Sequence, residues 1–222
     1  MLKRISYPIN PQSPLYPGTP EFVCSKEKSI EKGDNSNTTI LTFSSHTGTH
    51  IDAPHHFCPG GKTTREVLGN SLTLSPVYCI DFPKDSATPI RILDLEPHIW
   101  KMPGAKGILM RTGMSRFHSS DPKRYCRDHP WIHPEVPEFL RSTCPSLILF
   151  GTDTISISNP QFRPEGRECH RQFLCGARPI LLAEDLDLSD PALVTGPFSV
   201  TFYPWIIDNL DGVPVLAFAE LR

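Results

Sequence analysis

The 222-residue sequence has no excess of either charge, no C-x-x-C pair, no long apolar run and no internal repeat. Each absence removes a class of protein. With 22 Lys+Arg against 24 Asp+Glu and a net charge of -2, no basic patch is available to release counterions from a nucleic acid or to hold an anionic membrane. A small, weakly charged or neutral molecule is the better-matched substrate. No apolar stretch reaches the ~20 residues of a membrane span, and the opening Met1-Leu-Lys-Arg-Ile-Ser-Tyr-Pro8 lacks the apolar centre of a signal peptide. Cys24, Cys58, Cys79, Cys126, Cys144, Cys169 and Cys175 are odd in number and fall into no zinc-knuckle spacing. They are expected as reduced thiols of a cytoplasmic protein.

Proline, by contrast, is abundant. Its 24 residues are about twice the usual share and are spread along the chain. This suggests short strands joined by fixed turns and long loops rather than a helical bundle. Strands are expected at Thr38–Ser44, Val77–Phe82, Gly107–Arg111, Leu147–Gly151, Ile180–Ala183, Phe198–Tyr203 and Val213–Ala219, all rich in β-branched or aromatic residues. The runs around 108, 148 and 181 are apolar throughout, as in strands covered on both faces. Pro134–Ser142 is the best helix, with acidic residues in its first turn and Val136, Phe139 and Leu140 as its apolar stripe. A second short helix is expected at Cys169–Leu174. The expectation is one mixed α/β domain over residues 1–222, with many strands and few helices.

The chemistry is concentrated in Ser44-Ser-His-Thr-Gly-Thr-His-Ile-Asp-Ala-Pro-His-His-Phe57, which holds four of the nine histidines and a carboxylate. Gly48, Pro54 and the β-branched Thr47, Thr49 and Ile51 argue against a helix here. In an extended chain His46, His50 and Asp52 share one face, with Gly48 leaving room between them. Pro54 then turns the chain and could bring His56 over the same pocket. Two imidazoles and a carboxylate suit Zn²⁺, with Mn²⁺ or Fe²⁺ as alternatives, and leave a position for a water whose pKa a zinc ion lowers to roughly 7. Asp52 could bridge two ions if further ligands came from elsewhere. The bland alternative is a polar loop whose histidines hydrogen-bond locally. Three ligands on one face with a fourth histidine nearby weigh against it.

The pattern His-x-Gly-Thr-His-x-Asp-x-Pro-x-His-Phe over His46–Phe57 resembles the signature of the cyclase family, whose best-known members are the bacterial kynurenine formamidases. The resemblance continues in Pro14-Leu-Tyr-Pro-Gly-Thr-Pro20, where Thr19 replaces the family's Asp, and in Leu109–Gly113, His129–Glu135, Gly151–Thr154 and Asp211–Val215. It implies a swivelling β/β/α fold with a central mixed β-structure, in homodimers or tetramers. It also implies His46, His50 and Asp52 as metal ligands and His56 as the catalytic histidine. His170 and Glu184 match the second-metal ligands. The His170-to-Glu184 spacing is longer than the family pattern, which leaves Asp185 as an alternative.

The implied activity is zinc-dependent hydrolysis of an amide, formamide or lactam, with two ions and with Mn²⁺ as the alternative. A metal-bound hydroxide attacks the carbonyl, and His56 shuttles a proton to the leaving amine. N-formylkynurenine, a step of tryptophan catabolism, heads the substrate candidates; a cyclic amide such as isatin, a lactone, or metal and ligand binding without turnover are the competing readings. His55, His129 and His133 are expected to be structural, and Cys58 a small buried thiol. Asp153 is either a partner of a ligating histidine or a turn cap. Tyr16, Phe57 and Trp131 either line a ring pocket or belong to the core.

Overall fold

The structure, a computed structural model, describes residues 1–84 and 86–221. Its strands are β1 (Leu2–Arg4), β2 (Val23–Lys28), β3 (Thr38–Thr42), β4 (His50–Asp52), β5 (Leu72–Asp81), β6 (Pro89–Ile90), β7 (Gly107–Arg111), β8 (Trp131–Ile132), β9 (Leu149–Thr152), β10 (Leu181–Glu184), β11 (Phe198–Pro204) and β12 (Gly212–Glu220). The helices are α1 (Thr64–Leu68), α2 (Ile92–Ile99), α3 (Pro122–Arg127), α4 (Val136–Thr143) and α5 (Arg163–Leu174). The mixed α/β character expected from the sequence is present, with strands dominating.

Seven strands run in the order β12-β11-β5-β7-β9-β10-β4, and a further pairing of β4 with β12 closes them into a barrel. The β5-β7-β9-β10 stretch is parallel and the remaining pairs are antiparallel. β1 adds to the far end of β12, and β2–β3 forms a separate exposed ribbon.

Because successive strand residues point to opposite faces, the apolar runs serve two cores. Ile51, Leu109, Leu149, Leu181, Ala183, Val200 and Val213 pack together inside the barrel. Their neighbours Ile108, Met110, Phe150 and Leu182 pack outward with Leu95, Val136, Leu140 and Phe173 of the helices. Gly151 is required at this junction, since a Cβ there would lie 2.7 Å from Leu109 and 2.8 Å from Leu186 side-chain atoms.

Three expectations need correction. The segment from His46 is not extended throughout: only His50–Asp52 is strand, and residues 45–49 form a turn with Gly48 at φ +67°. A left-handed φ suits glycine, and a Cβ there would also press on Ile9 at 2.8 Å. His46 therefore reaches the site by a turn, while the shared face of His50 and Asp52 holds. Second, α5 begins at Arg163, not Cys169, with Pro164 in its first turn. Third, the cysteines are not all reduced. Cys58 and Cys175 form a disulfide with Cα atoms 5.6 Å apart, because the loop after Pro54–His56 folds against the C-terminal end of α5. Spacing could not reveal a pair 117 residues apart. Among the described residues Cys24, Cys79, Cys126, Cys144 and Cys169 remain free thiols.

Candidate metal centre

The site lies on the outer face of the barrel, where β4 is wedged between β10 and β12. Ile51 and its partners Ala183 and Val213 point inward. By alternation His50 and Asp52 point outward, His50 opposite Glu184 and Asp52 opposite Gly212. Helix α5 lies over this face and contributes His170.

Four imidazoles converge, each with one ring nitrogen already held. His50 Nδ1 donates to the Gly48 carbonyl at 2.8 Å, and His170 Nδ1 donates to the Gly166 carbonyl at 2.8 Å. Both leave Nε2 facing the carboxylates. His46 Nε2 and His56 Nδ1 each lie 2.9 Å from Asp211 Oδ2. Pinning one nitrogen fixes the ring and the tautomer, as outer partners do for metal-ligating histidines.

Asp52 is central and 1% exposed. Its Oδ1 lies 2.9 Å from His46 Nδ1 and 3.3 Å from His50 Nε2, while Oδ2 lies 3.7 Å from His170 Nε2. Glu184 Oε1 is 3.4 Å from His170 Nε2, and Oε2 is 3.5 Å from His50 Nε2. Glu184 is held by the Ser156 hydroxyl at 3.0 Å and the Ile157 N–H at 2.7 Å. His46, Asp52 and His56, and separately His50, Asp52 and Glu184, bring ligand atoms within 4.8 Å of one another.

This set fits a metal. Asp52 Oδ1, Asp52 Oδ2 and His50 Nε2 are buried with no hydrogen bond, a costly arrangement unless an ion completes it. The nitrogen and oxygen donors are those of Zn²⁺ or Mn²⁺ sites. Burial opposes charge on His46, but Asp52 and Asp211 outweigh it and push its pKa up to about 10. Burial likewise opposes charge on His50 and His170, and Asp52 and Glu184 respectively raise their pKa values. Asp52 is itself held well below the usual carboxylate range, its neighbouring imidazoles overcoming burial. Hydrogen bonds from His46 and His56 lower Asp211 in the same way.

All of His46, His50, Asp52, His56, His170 and Glu184 line one cavity of about 260 Å³, along with Tyr16, Phe57, Ser156, Ser158, Arg163 and Arg167. Asp185 does not. It lies behind the site at φ +57°, accepting the Tyr125 hydroxyl at 2.5 Å, and burial pushes its pKa up to about 7. Asp153 caps a turn, accepting from Thr112 N–H, Thr112 Oγ1 and Gly113 N–H at 2.6–2.9 Å. Trp131 is buried against Phe162, outside the cavity. His55 is exposed, and His129 is buried with Nδ1 donating to Pro130.

Asp211 was missed as a site residue. Its Asp-Gly-Val-Pro-Val segment reads as the start of a strand, and only the β4–β12 pairing brings it to His46 and His56. Ala53 N–H donates to the Asp211 carbonyl at 2.8 Å, and Ser45 Oγ donates to Oδ1 at 3.1 Å. The next residue, Gly212, leaves space for the His46 ring, which a Cβ would meet at 2.4 Å.

Residues 4–159 match the family described as "Putative cyclase". This chain belongs to that family. The chain is similar to the kynurenine formamidases of Bacillus cereus, 29% identical, and Bacillus cytotoxicus, 30% identical, each over 96% of this chain and 94% of the relative. Among solved structures, isatin hydrolase A from Ralstonia solanacearum is similar with a TM-score of 0.78 and 18% identity, covering all of this chain and 92% of that one. A potential metal-dependent hydrolase with cyclase activity gives 0.77 and 22%, covering all of this chain and 98% of that one. At these identities the structural likeness establishes the shared cyclase-family fold.

Proposed function

We propose that this cyclase-family chain is a metal-dependent hydrolase of a C–N bond, arylformamidase-like, acting on N-formylkynurenine or a related formanilide. The observation that carries this reading is the state of Asp52, whose two buried oxygens face different ligand sets without a hydrogen bond. His46, His50 and Asp52 would hold one ion, and Asp52, His170 and Glu184 a second. Zinc is the expected metal and Mn²⁺ the alternative. Bound there, the ions supply Lewis acidity and an acidified water.

The chain's own residues do the rest. Asp211 accepts the His56 Nδ1 proton, which leaves Nε2 as the basic nitrogen. His56 can then take a proton from water and pass it to the leaving amine. Phe57, stacked on His170 with ring centroids 4.9 Å apart, gives the cavity an apolar wall beside His56.

Metal analysis and product release from N-formylkynurenine test the proposal together. His56→Ala should keep its metal and lose most turnover. Parallel loss of metal and activity would make His56 a ligand instead. Isatin ring-opening is the second assay, because isatin hydrolases share this fold over the whole chain. Activity on isatin alone would move the substrate to a cyclic amide. Absence of bound metal after purification in metal-supplemented buffer would sink both.

The same reading takes the working form as a homodimer or tetramer, which light scattering tests. No helix among the described residues is long and apolar enough to cross a membrane. The Cys58–Cys175 disulfide sits awkwardly with cytoplasmic placement, and thiol titration of protein from fractionated cells checks the compartment.

A further inference from the structure

One wall of the cavity carries charge that the metal centre does not use. Arg163 and Arg167 stand one turn apart on α5 and both line the cavity that holds His56 and His170. Their placement is fixed by close packing: a Cβ at Gly166, between them, would meet Ser158 Oγ at 1.8 Å, so α5 is seated directly on the Ser156–Ser158 segment. Arg163 is partly engaged. It donates to the Pro17 carbonyl at 2.9 Å and lies 5.7 Å over the Tyr16 ring. Arg167 makes no hydrogen bond or ion pair among the described residues. Its acidic neighbour on the helix, Glu168, is turned to Arg171 at 3.0 Å and to Gln172 at 2.8 Å. Beside the arginines stand Tyr16, half-buried with its hydroxyl 3.4 Å from Ser158 Oγ, and Phe57.

We propose that the cavity selects an aromatic amide bearing a carboxylate, with the ring against Tyr16 and Phe57 and the carboxylate on Arg167, supported by the charge of Arg163. This rests on the hydrolase reading above and narrows its substrate class. A guanidinium presents a planar fork that matches a carboxylate, and a partner of this kind strengthens a hydrogen bond well beyond a neutral one. An isolated surface arginine would be equally solvated without a ligand. Arg167 is exposed, but it stands on the wall of the ligand cavity, three residues before His170, and the acid next to it in the helix, Glu168, is occupied elsewhere. An anchor there places the amide toward His56 while the charge stays at the mouth.

The test compares charge at constant shape. Rates are measured on zinc-loaded protein with the 2-, 3- and 4-formamidobenzoates and the matching neutral formamidobenzamides. Equilibrium binding of the corresponding aminobenzoates and aminobenzamides is followed by calorimetry. The wild-type protein should prefer at least one carboxylate over its amide by tenfold or more in kcat/KM. Arg167→Gln should lose about 10- to 100-fold on that carboxylate and stay within twofold on its neutral partner. The aminobenzoate preference should vanish in the same variant. Equal use of both members of every pair by the wild type overturns the proposal, as does an Arg167→Gln loss shared by both members. If neither series is hydrolysed but Arg167 still governs aminobenzoate binding, the reaction assignment fails and the anchor stands. A carboxylate preference unchanged in Arg167→Gln places the carboxylate on the metal and overturns the anchor.

Discussion

Replacing Asp211 by Asn isolates the role of a residue that ligates nothing in the proposed mechanism yet orders two histidines. Asp211 Oδ2 accepts from both His46 Nε2 and His56 Nδ1 at 2.9 Å, and Oδ1 accepts from Ser45. An asparagine of the same shape has one accepting oxygen and one donating nitrogen. It can turn its oxygen to the imidazoles and donate its amide N–H to the Ser45 hydroxyl, or turn its nitrogen to them and reverse their tautomer, and in either case it brings no charge. A charge-assisted hydrogen bond contributes about 1.5–3 kcal/mol, discounted here because the Asp211 side chain is 37% exposed. Loss of tautomer control over a general base adds to the kinetic cost. The expected outcome is a fall in kcat of about 30- to 1,000-fold, which corresponds to about 2–4 kcal/mol of transition-state stabilisation. The His50, Asp52, His170 and Glu184 donors are untouched, so at least half of the metal should remain. Steady-state rates on N-formylkynurenine paired with metal analysis of the same sample measure both quantities. Activity within threefold of wild type at unchanged metal content would refute the assignment of Asp211 as the residue that orients His56.

Other outcomes follow from the same geometry. Gly212→Ala places a methyl 2.4 Å from His46 Cε1, so the ring must move; metal affinity should fall tenfold or more although every ligand is retained, as titration against a competing chelator will show. Removing the disulfide with Cys58→Ser and Cys175→Ser releases a loop closed across 117 residues, and urea unfolding should report a loss of about 2–5 kcal/mol. A loss under 0.5 kcal/mol would mean that the bond does not form in the protein. His129 is fully buried, and burial pushes its pKa down to about 4. Between that value and the unfolded value of about 6.5 the unfolded chain binds the extra proton, so this residue's contribution to stability falls as pH falls through that window. The difference in unfolding free energy between wild type and His129→Gln, both metal-free, should shift by about 3 kcal/mol against the wild type from pH 7.5 to pH 4. A pH-independent difference would show that His129 titrates normally.

Residue patterns alone were enough to place most strands, α4 and the ligand-bearing segment, because each is written in local chemistry. The apolar runs at 107–111 and 181–184 are strands in the structure, and His50 and Asp52 share a face because alternation is a property of any extended backbone. The boundaries of β5 and α5 shifted, since Pro76 sits inside the first and Pro164 begins the second where a propensity reading stops short.

What remained hidden depends on chain closure. The pairing of β4 with both β10 and β12 sets Glu184 opposite His50, turns Asp185 away toward Tyr125, and delivers Asp211 to His46 and His56. None of these partners is within reach along the sequence, and a one-residue slip in the β4–β10 register would exchange Glu184 for Asp185. The Cys58–Cys175 bond and the arginines beside His170 belong to the same category, since they arise where α5 is laid across the barrel. The sequence by itself therefore determined which side chains of the 46–56 segment could act as ligands, because ligand type and short-range spacing are local. Only the tertiary structure decided which carboxylates face those imidazoles, because register and helix placement are set by packing across the whole barrel.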